Sequence, residues 1–327
     1  MIIRFLKSDN ASAFFILPLV ALAIWALGFF QAPVLHVKHT MPFYELLAGP
    51  VAGIPWLSTL IALLLVIAEA FLLNYIVNEN EVLTKKSSLP GLFYIVFISN
   101  NSSMLELHPL LFANLFLLFA LSKILSSYRK DIAFSQVFDA GLLISVATLF
   151  YFPCIVFFPV IGIALVIFRP FLWREWLISF IGVLVPYIFV VTWYFWNDVL
   201  DYLLYDKMFF PMVFKKASSE LLPSFYFMLS AGWGIVLLSF GKLFNGLGGG
   251  SQKTKKALVL MLWLFSFSGL SLLLAPAIST QYFSLLAIPV AVICSNYFLR
   301  MKRELWGELL FLILLVSIFV NLIIEIF

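Results

Sequence analysis

Apolar residues in this chain fall in long runs separated by short polar breaks. Runs of about 12 to 22 residues repeat from residue 13 to the C-terminus, the pattern of helices that cross a bilayer core. Eleven spans can be drawn, at 13–31, 57–77, 89–100, 109–126, 137–152, 154–168, 176–196, 222–241, 257–275, 281–299 and 305–326. The third, LPGLFYIVFISN, is too short for a straight helix rising about 1.5 Å per residue to cross about 30 Å. It therefore either draws on its flanks or is re-entrant. Pro153 alone separates the fifth span from the sixth, so the two form a tight hairpin or one broken helix.

The polar breaks carry an orientation. With the N-terminus in the cytoplasm, inward segments at 4–7, 85–86, 123–130, 169–174, 242–256 and 300–303 hold sixteen of the 20 lysines and arginines. Lys38, Lys207, Lys215 and Lys216 remain outside, and such a split follows the positive-inside rule. The glycine- and lysine-rich KLFNGLGGGSQKTKKA (242–257) reads as an inward surface loop. No internal repeat is visible, and residues 1–327 read as one integral membrane domain without a separate soluble part.

Composition agrees. The chain is 64% hydrophobic and 11% charged with a mean hydropathy of +1.09, against roughly 25% charged residues in soluble domains. The expected fold class is all-α, a polytopic transmembrane helical bundle of about eleven spans. The net charge of +4 belongs to the inward loops, so nucleic acid is not an expected partner. Cys154 and Cys294 lie in apolar runs without CxxC or CxxH spacing, which excludes a zinc or dithiol motif. The first apolar run is too long for a signal peptide and lacks a small-x-small cleavage site, so it reads as a retained helix.

Candidate chemistry gathers on the outer side. All three histidines, His36, His39 and His108, fall there. So do Glu45, Glu106, Asp198, Asp201, Asp206 and Glu220. A carboxylate at the apolar boundary is partly desolvated, which raises its pKa toward the range of a general base. Histidine titrates near neutrality and can share that work. Met41–Leu47 reads as an interfacial helix that holds Glu45 at the membrane surface. In NNSSMLELHPLL, Glu106 and His108 precede Pro109, a favourable first residue for the next helix. HVKH (36–39) offers HxxH without further ligands, so no metal or other cofactor is assigned. The bland alternative for each of these groups is solvated loop decoration.

Within the spans, Glu69, Asp139 and Glu325 are costly at membrane depth, with Glu308 near a span end. The structural reading has Glu69 and Asp139 bonding across helices to Asn74, Ser145 or backbone groups. FRPFLWREW (168–176) sets Arg169 and Arg174 beside Trp173 and Trp176 as an interfacial anchor able to grip lipid phosphate. LRMKREL (299–305) is a basic stop. Outside, Lys207, Lys215 and Lys216 interrupt an aromatic stretch and face an anionic headgroup.

The stretch FDAGLLISVATLFYFPCIVFFPVIGIALVIFRPFLWREWLISFIGVLVPYIFVVTWYFW (138–196), preceded by LHPLLFANLFLLFALSKILSSYRK (107–130), resembles the middle of multi-span glycosyltransferases of the GT-C fold. The whole chain also resembles a family of small Bacteroidota inner-membrane proteins without an established activity. The first resemblance implies transfer of a sugar from a polyprenyl-phosphate-linked donor at the outer face. In that family a catalytic acid sits in the first outer loop, often as an acidic pair. Here Glu45, in YEL, is the one acid that loop offers. On this reading Glu45, Glu106 and His108 are the catalytic candidates, and His39, Lys207, Lys215 and Lys216 bind the donor. Two other readings stay open. One is a non-catalytic scaffold or accessory subunit of a cell-envelope complex, with a membrane-protein partner. The other is a transporter or lipid-handling protein.

Overall fold

The computed structural model describes residues 2–7, 13–30, 40–203, 232, 234–242, 251–274, 280–301 and 303–326. Its regular elements are helices α1 (Ile2–Leu6), α2 (Ala13–Phe30), α3 (Pro42–Ala48), α4 (Pro55–Glu79), α5 (Leu89–Ile98), α6 (Pro109–Ser126), α7 (Phe134–Phe150), α8 (Phe158–Phe168) and α9 (Trp173–Trp196), then α10 (Gln252–Leu273), α11 (Ala287–Leu299) and α12 (Glu304–Ile326). Residues 234–242 are also helical, and the described residues contain no strand. Six helical segments are long and apolar enough to cross a membrane: Pro55–Glu79, Pro109–Ser126, Trp173–Trp196, Gln252–Leu273, Thr280–Leu299 and Leu305–Glu325. Phe15–Phe29, Leu89–Ile98, Phe134–Phe150 and Phe152–Phe168 are apolar but shorter. The expected span at 222–241 falls largely outside the described residues.

Two ends of the bundle can be told apart by their chemistry. At one, Ser87 and Ser88 after α4 hold the Leu6 carbonyl through the Ser87 hydroxyl at 3.1 Å and the Ser88 N–H at 3.0 Å. The Thr254 hydroxyl at the start of α10 donates to the Glu81 carbonyl at 2.9 Å, and Lys256 lies over the Tyr128 ring beyond α6. The described lysines and arginines belong to this basic end. At the other, α3 end, the Glu325 carboxylate accepts from the Asn101 side chain at 2.7 Å and from the Ser102 N–H at 2.8 Å. Leu6 and Glu325 thus mark opposite ends.

Helices α4 and α9 stop without glycine. Glu81 (φ 52°) and Asp198 (φ 56°) take the left-handed conformation just past each helix. Val82 N–H then reaches back to Val77 and Val199 N–H to Tyr194, at 3.0 and 3.1 Å, closing Schellman caps over carbonyls that would otherwise lack donors. Helix α9 shows how the sequence meets lipid. Trp173 and Trp176 are exposed at one end and Trp193 and Trp196 at the other, about 30 Å apart at helical rise, the spacing of two aromatic belts.

The short third span resolves into α5, whose Leu92, Phe93, Tyr94, Ile95 and Val96 are all fully buried. It starts at the basic end and leads to the α3 end, so it does not turn back. Gly91 is what admits α4 so closely. A Cβ there would lie under 3.0 Å from both the Ala70 carbonyl and the Asn74 amide, and the Gly91 N–H donates to Asn74 Oδ1 at 2.7 Å. From the other side Phe298 of α11 meets Phe93 with ring centroids 4.8 Å apart. Pro153 makes a hairpin. A 3-10 segment, Phe152–Phe157, joins α7 to α8, and Arg169 at the end of α8 returns to the Asp131 carbonyl before α7, at 2.7 Å.

Arg169 corrects the anchor reading. It is buried, not lipid-facing, and pairs with the buried Glu175 of α9 at 2.8 Å. Glu175 Oε1 also accepts from the Ala133 N–H at 3.2 Å, so this pair closes the α7–α8–α9 junction. Arg174 is the exposed member and lies over the Trp173 ring. Asp139, one helical turn into α7, pairs with Lys123 at 2.8 Å near the surface.

Candidate functional site

Helix α3 begins after the extended Met41, with Pro42 at its first position, where a missing N–H costs nothing. Its buried face carries Tyr44, and Leu46 and Leu47 on its other side are exposed. Phe43 packs edge-on to Phe150 and Tyr44 against Phe112, so the short helix rests on the start of α6 and the end of α7. The Tyr44 hydroxyl then donates to the Leu107 carbonyl at 2.7 Å. That bond ties the expected interfacial helix to the segment that carries Glu106 and His108. Burial, and the negative charge of nearby Glu106, push the Tyr44 phenol up.

Residues 99–108 form a tight polar loop. Asn101 caps a 3-10 turn by accepting the Ser103 N–H at 3.0 Å, and the Ser103 hydroxyl bonds both Asn101 Oδ1 and Thr280. Gln281, on the 3-10 segment Thr280–Leu286, donates from Nε2 to Glu106 Oε1 and to the Ser103 carbonyl. Glu106 is partly buried, and that burial raises its carboxyl to about 7 against the lowering effect of the Gln281 amide. It is therefore about half ionised near neutral pH, the condition in which a carboxylate serves best as a proton acceptor.

His108 caps α6 through its backbone, with its side chain 2% exposed and no partner on either ring nitrogen. Burial lowers its pKa to about 3, so the ring is neutral in the physiological range. The expectation that it titrates beside Glu106 is corrected by this burial. Glu45 follows Tyr44 on α3 and is half-buried, on the helix that docks here. His39, Lys207, Lys215 and Lys216 lie outside the described residues, as do His36, Asp206 and Glu220. Asp198 and Asp201 follow α9, whereas the partner of Glu106 is Gln281.

Three members of the cluster were not expected. Gln281 and Thr280 sit in IST-QYF between two apolar runs, a polar break that marks them once the loop is known to matter. Glu325 reads by position as an intramembrane acid, but it stands at the α3 end and pins the 101–102 turn, with Asn321 donating to it at 3.2 Å. Among the described residues, no group of three or more His, Cys, Asp or Glu is placed to hold a metal ion. A small gap deeper in the bundle, bounded by Leu117, Ile144, Phe157, Leu264 and Pro289, exposes only apolar surface and is separate from the cluster.

The model of a family described as "Family of unknown function (DUF6427)" matches residues 26–327. No curated protein and no solved structure matches the chain.

Proposed function

The chain belongs to DUF6427, a family of unknown function, and from the α3-end cluster we propose that it is a GT-C-like glycosyltransferase of a bacterial inner membrane. Its α3 end faces outward, and its donor is a polyprenyl-phosphate-linked sugar. The observation that carries this reading is the docking of α3 on the Glu106 segment through Tyr44 and Leu107. It brings an interfacial helix with its own acid, Glu45, to a carboxyl whose pKa of about 7 suits proton transfer.

In this scheme Glu106 accepts the proton of an acceptor hydroxyl. The acceptor oxygen forms a bond to the sugar's anomeric carbon, the bond from that carbon to the phosphate oxygen breaks, and polyprenyl phosphate leaves with the electron pair. Gln281 orients Glu106 through one oxygen and leaves the other for the proton. Glu45 stands at the membrane surface beside the reacting sugar. His108, covered and neutral, positions the loop. His39, Lys207, Lys215 and Lys216 are assigned to the donor phosphate, with membrane lipids filling the belt around the bundle.

Lipid analysis of strains carrying Glu106→Gln or Glu45→Gln tests this directly. Accumulated polyprenyl-linked sugar with truncated glycans is expected for Glu106→Gln. Normal lipids and glycans in both strains would remove catalysis and leave the accessory-subunit reading.

A further inference from the structure

A second polar feature begins one step inward from Gln281 and has no role in the scheme above. Positions three apart eclipse in a 3-10 segment, so Ser284 lies below Gln281 on the same face. The Ser284 carbonyl accepts from Asn114 of α6 at 3.2 Å. The Asn114 side chain also bonds the Tyr94 hydroxyl of α5, and that hydroxyl donates to Glu69 Oε2 of α4 at 2.8 Å. Four elements thus contribute one group each to a file that runs from the α3 end to the middle of the bundle.

Glu69, Asn114, Ser284 and Tyr94 are all fully buried. Three atoms along the file have no partner: Glu69 Oε1, Asn114 Oδ1 and Ser284 Oγ. Buried polar atoms are rarely left so, and each is a place where a proton or a passing water can be held. Among the described residues no cation pairs with Glu69, and the titratable group that meets it is Tyr94 of α5. An ionised carboxylate without a cation is too costly at this depth, so the resting group carries a proton. A carboxyl serving purely as glue between helices would place both oxygens on partners. Here one oxygen is bonded and the other stands open, and the file leads back to one end of the protein.

We propose that Glu69 is a proton-binding site inside the bundle, exchanging its proton with water that enters from the α3 end and is held by the open Ser284 Oγ and Asn114 Oδ1 atoms and the Tyr94 hydroxyl. When the proton leaves, the Tyr94 hydroxyl stays as donor to the carboxylate and holds it until a proton returns along the same route. Toward the basic end, α4 and α5 are in close contact at Gly91.

Infrared spectroscopy of the full chain reconstituted in lipid tests this. The wild-type spectrum minus that of Glu69→Gln isolates the C=O band of one protonated carboxyl, and transfer to D2O shifts it as the proton exchanges. The expected result is such a band, exchanging fully, with exchange slowed about tenfold in both Tyr94→Phe and Asn114→Leu, the rate effect of one lost hydrogen bond to the entering water. Amide exchange in the same films shows that each variant remains folded. Three results would overturn the proposal: no carboxyl band lost in Glu69→Gln, a band that never exchanges, or equal rates in the two file variants and the wild type. None of these measurements depends on sugar transfer, so this proposal and the transferase reading fail separately.

Discussion

Two glycines set the distance between α7 and α9. A Cβ on Gly141 would fall under 3.0 Å from the Ser179 carbonyl oxygen, and one on Gly182 under 3.0 Å from the Phe138 carbonyl oxygen. Both obstacles are backbone atoms of a facing helix, which cannot swing aside as a side chain does. Gly141→Ala or Gly182→Ala must therefore push the helices apart by about 1 Å to recover ordinary contact. Overpacking of this kind costs about 1–3 kcal/mol, and relief of glycine's helix penalty returns about 1 kcal/mol. Because backbone is struck, the upper part of the range applies, leaving a net loss of about 1–2 kcal/mol for each variant. The double variant should cost less than the sum, since the first methyl already opens the seam for the second. Gly269 of α10 is the control: nothing lies within 4 Å of its Cβ position, so Gly269→Ala should be neutral or slightly stabilising. Thermal unfolding of the detergent-solubilised chain, followed by tryptophan fluorescence, should show melting points lowered by about 2–4 °C per kcal/mol. If Gly141→Ala and Gly182→Ala melt with the wild type, the close approach of the two backbones is refuted.

Other expectations follow from the same contacts. Glu175→Gln or Arg169→Leu leaves half of a buried ion pair at the α7–α8–α9 junction and should cost about 3–5 kcal/mol, read as lost thermal stability or yield. Tyr44→Phe removes the bond to Leu107 and should cost about 1 kcal/mol, with proteolysis between α3 and α4 rising if α3 loosens. Burial raises the Glu106 pKa to about 7 from its ordinary value of 4.5, so the folded state binds its proton more tightly than the unfolded state. Its stabilising contribution is thus full below about pH 4.5 and is lost as pH rises through about 7. Glu106→Gln should flatten that part of the melting-point profile between pH 5 and 8. As a base, Glu106 acts when deprotonated, so transfer activity should fall as pH drops below about 7, and a flat profile there would exclude it as the base.

Much of the fold was legible because lipid imposes length and hydropathy on any crossing helix. Helices α4, α6 and α9 and the α3 helix follow from runs of apolar residues and the position of prolines, and Pro153 marked the break between α7 and α8 without deciding between a hairpin and a broken helix. The gathering of basic residues at one end was legible for the same reason. What stayed hidden are the long-range pairings. Gln281 meets Glu106 across 175 positions and Glu325 meets Asn101 across 224, and no local pattern announces either. Arg169 was misread because Trp173 and Trp176 follow it in one phrase, whereas its partner, Glu175, stands between them in the first turn of α9. Asn74, Ser145 or backbone groups were the expected partners of Glu69. Gly91 takes Asn74 instead, and Tyr94 reaches Glu69.

Helix α5 also carries a consequence for how the protein is made. Its ten residues are too few to hold a place in lipid alone, and its full burial depends on Phe298, about 200 residues further along the chain. At ordinary synthesis rates of about 5–20 residues per second, α5 waits about 10–40 s for α11 to arrive. During that interval α2 and α4 are in place, but the face that meets Phe298 is uncovered by α11. The nascent protein must shelter a half-length helix until its penultimate helix closes over it, so truncation before α11 would release α5 as a substrate for membrane quality control.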